Sequence, residues 1–355
     1  MRAEWDADLP VRILGAGASG RAAADLAAAR GHDVRIFDER KGADPFAGET
    51  DGSLRALLWV VSPGFAVDHP WCLRLRGAGA VLLPELEFGA RYLAGETLVV
   101  TGSLGKTSMV LLMAEMIRAT GRTVTVSGNI GKAVSEIALR SPEADVHVIE
   151  ASSFQLEILK SFAPDRAVCL NLFPNHLDRH GTLEAYAGAK ARLFEGMGPE
   201  GIAVWPENYP RDIATRASRP AADSVSLPAL RGTRFEQGPL RDNLRMMFAA
   251  AKGLLDPGRE EIRRVVREFV FPRHRMEEIR IPGAGRVIDD SKSTCFSATR
   301  AAVEMTSGTL HLFMGGIDKG ESPDLLLETF RERNPRLYLF GASGKKMQED
   351  RKSVV

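Results

Sequence analysis

The sequence predicts an α/β fold of three domains built on parallel sheets. Short apolar strands alternate with helical stretches along the chain. Two glycine-rich turns each join a strand to a helix, and polar residues gather where apolar strands end. A chain of 355 residues is long enough for two or three such domains, each with its own core.

Composition excludes several classes of function. The net charge of +1 supplies no global field for nucleic acid or an anionic membrane, so neither is expected as a partner. Cys72, Cys169 and Cys295 are widely spaced and form neither a metal-ligand pattern nor a disulfide framework, which fits a reducing cytoplasm. No uninterrupted apolar span is long enough to cross a bilayer, and the start MRAEWDADLP carries no signal-peptide core. A cytoplasmic protein without membrane insertion is expected.

The first domain, residues 1–93, begins VRILGAGASGRAAADLAAARGHDVRIFDER. A strand leads into Gly15, Gly17 and Gly20, an alanine-rich helix follows, and a second strand ends at Asp38. Glycines there permit close approach to a phosphate, and Asp38 lies where a carboxylate can accept hydrogen bonds from a ribose or a base. The turn alone does not specify a dinucleotide.

The second domain, residues 94–271, opens on LVVTGSLGKTS. An apolar strand, a turn with Gly102 and Gly105, and a helix beginning at Lys106 and Thr107 make a nucleoside-triphosphate phosphate cradle. Backbone N–H groups converge on phosphate oxygens there, and the helix N-terminus favours the anion. Lys106 is expected to place its charge on the β- and γ-phosphates, and the Thr107 hydroxyl to hold Mg²⁺. The full Walker spacing needs a glycine at Val100, so this is a shortened GxxGK[ST] form. Further on, VHVIE ends at Glu150 and continues into ASSFQLE, and AVCLNLF precedes PNHLDRHGTLEAYAGAKARLFEG, which puts Glu150 and His176 beyond strand ends. Composition alone reads Lys190 as a surface lysine beside Arg192.

The third domain, residues 272–355, opens at FPRHRMEEI, passes through GRVIDDSKST and HLFMGGIDKG, and finishes soon after LYLFGASGKK. Asp289, Asp290, Ser291 and Lys292 again collect polar groups at a strand's carboxyl end.

The ordered set GAGASG, TGSLGKTS, SGNIGK, VIEASSFQLE, NHLDRH, AYAGAKARLFE, HRME, DDSKST and LFMGGIDKG resembles the Mur ligases, from Val11 to about Gly344. The resemblance implies a Rossmann-like N-terminal domain that binds a UDP-sugar, a P-loop central domain with a parallel sheet, and a Rossmann-like C-terminal domain. It implies an ATP-dependent amide ligase in peptidoglycan precursor synthesis, joining D-glutamate to UDP-N-acetylmuramoyl-L-alanine through an acyl phosphate, and acting as a monomer. Such chemistry depends mainly on positioning and charge neutralisation.

By the same resemblance Ser19, Gly20, Asp38, Arg40, Asn129 and Ser152 contact the UDP-sugar. ATP is bound by Gly102, Ser103, Gly105, Lys106, Thr107, Ser108, Asn243, Arg275 and Asp290, with Asn243 near adenine, Arg275 on phosphates and Asp290 on the ribose. Two Mg²⁺ ions are implied, Thr107 and Glu150 holding the first and His176 contributing at the second. Lys190 matches the lysine that becomes a carbamate with CO₂ and so acts as an anion. Lys292, Thr294 and Lys319 match the amino-acid site. Lys106, His176, Lys190 and Lys292 are the expected catalytic set.

Four places depart from the family pattern. Leu104 replaces an asparagine, Asn175 an acidic residue and Cys295 an asparagine, while Pro239 and Leu240 stand for a His-Asn pair. Each loses a polar group near phosphate, metal or nucleotide. The family's third domain also continues well past GASGKK, so this domain reads as shortened, with an open sheet edge. The alternative expectation is therefore a truncated or impaired relative that binds nucleotide and UDP-sugar without completing ligation.

Overall fold

The computed structural model describes residues 9–41, 45–283, 285–316, 323–341 and 344. In the first domain β1 (Val11–Leu14), β2 (Val34–Phe37), β3 (Leu58–Val61) and β4 (Val81–Pro84) form a parallel sheet in the order β2-β1-β3-β4. The residues of β1 and β3 are all buried, as expected for central strands covered on both faces. One cover is the helix Ala18–Ala29, whose small residues Gly20, Ala23, Ala24 and Ala27 face inward with Leu26.

A second parallel sheet holds β5 (Glu96–Thr101), β6 (Val124–Gly128), β7 (Val146–Glu150), β8 (Arg166–Cys169) and β9 (Ile202–Val204), ordered β6-β7-β5-β8-β9. The order reverses direction at β5, so the crevice beyond its carboxyl end is where an open α/β sheet takes a ligand. The helix Lys106–Ala119 follows β5 and buries Met109, Val110, Leu112, Met113, Met116 and Ile117. Burying side chains of this kind contributes roughly 1.5–3 kcal/mol each. This fixes the helix N-terminus directly over the end of β5.

The third domain is less regular than a Rossmann-like expectation. β10 (Glu277–Ile279) and β11 (Val287–Asp289) pair antiparallel as a hairpin, which the sequence did not signal. Both strands have only three residues, too few to show an alternating pattern or to offer a face for a covering helix. β12 (His311–Gly315) and β13 (Arg336–Phe340) form the expected parallel pair, with the helix Leu327–Arg333 in the connection between them. Among the described residues no helix is long and apolar enough to cross a membrane, and the three cysteines are free.

Two buried carboxylates join the first two domains. Both lie on the helix Glu85–Ala90. Glu87 accepts hydrogen bonds from the Lys160 and Ser161 amides, the Ser161 hydroxyl and Arg91 Nη2. Glu85 accepts the Ser135 N–H at 2.7 Å through Oε1, but its buried Oε2 has no hydrogen-bond partner among the described residues. Burial therefore pushes the Glu85 carboxyl above its usual range. A raised pKa means the folded state holds the proton more tightly, so that contribution is present below the unfolded value and is lost as pH rises through the folded one. Glu85→Gln is expected to melt higher than the parent at about pH 7, with the gap closing toward about pH 4. Thermal unfolding across that range checks it; a lower melting point for the variant at neutral pH would contradict the orphaned-oxygen reading.

Candidate active site

The phosphate cradle is built and braced before any ligand arrives. Gly102 and Gly105 have φ of +139° and +81°, values that favour glycine. Gly105 caps the helix, and a Cβ there would lie 2.5 Å from Asn243 Nδ2. Asn171, which the sequence reading missed, braces the loop: its Oδ1 accepts the Leu104 N–H, and its Nδ2 donates to the Leu104 carbonyl and to Asn243 Oδ1. Leu104 thus supports the loop through its backbone, and Asn243 lies buried behind the turn. The available signal was an asparagine ending the apolar run AVCLNL, just after β8.

Ser103 Oγ donates to the Phe173 carbonyl and lies 3.2 Å from the Tyr186 hydroxyl. Lys106 Nζ lies along the loop, donating to the Gly102 carbonyl at 2.8 Å and the Ser103 carbonyl at 3.1 Å. Burial lowers its pKa, and the charge of Lys190 pushes in the same direction. Ser108 is buried in the first turn of the helix.

At the mouth of the cradle the fold gathers residues from four separate motifs. Thr107 Oγ1 donates to Glu150 Oε2 at 3.0 Å, and Asn129 Nδ2 donates to Glu150 Oε1 at 2.9 Å. Parallel pairing of β6 with β7 aligns Gly128 with Glu150, which sets Asn129 beside that carboxylate. Arg275, from the third domain, donates through Nη2 to Thr107 Oγ1 at 3.0 Å. A hydroxyl and a carboxylate this close make a hard oxygen donor set of the kind Mg²⁺ prefers. His176 has a backbone φ of 54°, and its ring is edge-on to Phe154 at 4.9 Å. Ser152 caps the helix Ser153–Leu156 by accepting the Gln155 N–H.

Lys190 is not a surface lysine. Its residue is 1% exposed, on the helix Leu183–Glu195, with Nζ donating to Thr101 Oγ1 at 3.2 Å and the Gly102 carbonyl at 3.1 Å. The ammonium also sits over the Tyr186 ring, 4.5 Å from its centroid. Burial lowers its pKa to about 8, against the weaker opposing pull of Cys169 and Glu150.

In the first domain, Gly15 has a φ of +99° and Gly20 packs onto it so closely that a Cβ would lie 1.8 Å from the Gly15 carbonyl oxygen. Asp38 Oδ2 accepts the Ala16 N–H and Oδ1 accepts the Arg40 N–H, so its carboxylate shapes the turn. Ser19 is half-buried in the first turn of the helix, and Arg40 is exposed. Gly20→Ala is expected to destabilise the protein by about 2–4 kcal/mol through backbone overpacking. A thermal midpoint equal to the parent's would show that the turn can relax.

Third-domain residues reach the cradle only in part. Asp290 accepts the Met276 N–H and the Ser293 hydroxyl, and burial raises its pKa. Asp289 is held at about 2 by His274 and the Ser291 amide. His274, Glu277 and Asp289 cluster tightly, but these contacts tie the β10–β11 hairpin, with Glu277 also paired to Arg273. Lys292 and Thr294 are exposed, and Lys319 lies outside the described residues.

A parallel α/β sheet with a GKT cradle, a strand-end glutamate and an arginine reaching in from the next domain defines an ATP-cradle ligase of the Mur type. Residues 100–234 match the family described as Mur ligase middle domain. A solved MurF ligase from Thermotoga maritima in complex with ADP superposes with a TM-score of 0.54 at 16% identity, covering 79% of this chain and 74% of that one. A folylpolyglutamate synthase/dihydrofolate synthase with Mn, AMPPNP and L-glutamate bound gives 0.52 at 16% identity, over 72% and 79%. In sequence, a UDP-N-acetylmuramoylalanine–D-glutamate ligase from Acidobacterium capsulatum is 32% identical over 386 residues, covering 95% of this chain and 83% of the relative. The chain belongs to the UDP-N-acetylmuramoylalanine–D-glutamate ligase family.

Proposed function

We propose that this protein adds D-glutamate to UDP-N-acetylmuramoyl-L-alanine at the expense of ATP, a step in peptidoglycan precursor synthesis. The observation that carries the assignment is the convergence of Thr107, Asn129, Glu150 and Arg275 at the mouth of a cradle with Lys190 buried beneath it. Relatives at this level of identity bear the name of that ligase, and the ADP and AMPPNP in the solved neighbours support a nucleotide at the cradle.

In this reading Gly102, Ser103, Gly105, Lys106, Thr107 and Ser108 hold the triphosphate, Asn243 supports the turn near the base, and Asp290 meets the ribose. Arg275 and Lys106 supply positive charge to the phosphates as the substrate carboxylate attacks the γ-phosphorus and ADP leaves. The amine of D-glutamate then attacks the acyl carbon, phosphate departs, and the amine proton is given up. Lys292, Thr294 and Lys319 face the incoming amino acid. Ser19, Gly20, Asp38, Arg40, Asn129 and Ser152 hold the UDP-sugar.

Thr107 and Glu150 would hold one Mg²⁺, with His176 and Lys190 serving a second, and these ions would neutralise phosphate charge. Their arrival requires Arg275 to leave the Thr107 hydroxyl and turn to the phosphates. Lys190 would serve as a carbamate: its lowered pKa leaves a sizeable neutral fraction, the form whose nitrogen can bond to the carbon of CO₂ and release a proton.

The test is phosphate release from ATP with Mg²⁺, bicarbonate and UDP-N-acetylmuramoyl-L-alanine, with and without D-glutamate, and with Lys190→Ala alongside. Release that depends on D-glutamate, accompanies the dipeptide product and disappears in the variant supports the assignment. Binding of both nucleotides without release would establish the non-catalytic alternative.

A further inference from the structure

One contact between the first and second domains is not used by the chemistry above. Arg179 lies in the short helix Leu177–His180, just after His176. Its Nε and Nη2 donate to the two carboxylate oxygens of Glu157 at 3.2 and 2.6 Å. Nη2 also donates to the Phe65 carbonyl at 3.1 Å, and Nη1 to the Pro63 carbonyl at 3.4 Å. The guanidinium lies over the Phe154 ring, 4.1 Å from its centroid. Its side chain is 17% exposed and that of Glu157 only 5%, so this fork is largely shielded from water.

The partners place the arginine between the two halves of the substrate path. Pro63 and Phe65 belong to the loop after β3, in the first domain. Ser62, beginning that loop, packs on the glycine turn: its Oγ donates to the Gly15 carbonyl, and a Cβ on Gly15 would lie 3.0 Å from Ser62 Cβ. Glu157 and Phe154 belong to the segment after Glu150, and Phe154 also packs edge-on with His176. Arg179 therefore touches the loop behind the glycine turn and the aromatic ring that packs against His176 at the same time.

We propose that Arg179 is a positioning residue for the UDP-sugar, fixing the glycine-turn loop of the first domain against the reacting end of the second. The proposal rests on the reading that the glycine turn takes the nucleotide of that substrate while His176 serves an ion at its reacting end. A substrate gripped at both ends binds well only if the spacing between the two grips is set in advance. A planar guanidinium with five donors suits the task, because it serves a carboxylate and two carbonyls at once; a lysine ammonium cannot reproduce that fork.

The experiment uses the full chain with Arg179→Lys and, separately, Glu157→Gln, which removes the carboxylate charge and one of the two acceptors of the fork without leaving an unpaired buried carboxylate. In both variants KM for UDP-N-acetylmuramoyl-L-alanine is expected to rise about tenfold or more, with KM for ATP and kcat within about twofold of the parent. Amide hydrogen exchange is expected to quicken at Phe65 and His69, whose N–H groups bond within the loop to the Ser62 and Ala66 carbonyls. A fall in thermal midpoint with both KM values unchanged, or an equal rise in the two KM values, overturns the proposal. If the parent itself releases no phosphate, the assigned reaction fails, and the exchange measurement still decides the clamp: unchanged exchange at Phe65 and His69 in both variants overturns it.

Discussion

Lys106→Ala is expected to lower kcat for D-glutamate-dependent phosphate release by about 10²–10³-fold or more, with the fold intact. Losing one preorganised donor to developing charge costs on that order, and Lys106 would bring a full charge rather than a dipole. Folding should survive because, among the described residues, Lys106 Nζ donates only to the carbonyls of its own loop, while the loop is braced independently by Asn171 and by the Ser103 hydroxyl. Single-turnover release and far-ultraviolet dichroism together check this. Activity within about tenfold of the parent would remove Lys106 from the phosphate site.

Lys190→Met is expected to raise stability and abolish turnover together. The folded pKa of about 8 lies below the ordinary value of 10.5, so the folded state holds the Lys190 proton less tightly than the unfolded chain does. The unfolded chain binds more protons between those two values, and the parent gains stability as pH rises through that window. Below about pH 8 the folded chain carries the burial penalty in full, on the order of 3 kcal/mol. Methionine fits the same unbranched volume without a charge. In CO₂-free buffer the variant should therefore melt well above the parent at about pH 7, with the gap narrowing toward about pH 10. Catalysis should fall to background, because a thioether can neither carry a carbamate nor supply charge. A variant less stable than the parent at neutral pH would show that the bonds to Thr101 and Gly102, with the Tyr186 ring, outweigh desolvation. Gain of stability with loss of function is the usual mark of a residue kept for its chemistry.

The cradle, the strand-end glutamate, the glycine turn and the alternation of strands and helices were all legible in the sequence. Each depends on local rules: glycine where φ is positive, apolar residues in buried strands, polar residues at strand ends. TGSLGKTS needs no distant partner to be read as strand, turn and helix. Lys190 shows where local rules stop. Its neighbours on the helix include Arg192, and composition places it at the surface, yet packing of that helix beside β8 buries it, with Nζ on the Gly102 carbonyl.

Asn171, Glu157 and Arg179 went unread for a related reason. Their side chains act across separations that no periodicity encodes, 67 residues from Asn171 to Leu104 and 116 from Arg179 to Pro63. The antiparallel β10–β11 hairpin was hidden because strands of three residues are too short to carry a hydrophobic pattern. By itself, then, the sequence determined which local structures form and which motif has the form of a phosphate cradle. Only the tertiary structure decided which side chains share one low-dielectric pocket, because burial and long-range hydrogen bonds arise from packing between elements and not from the order of residues within one.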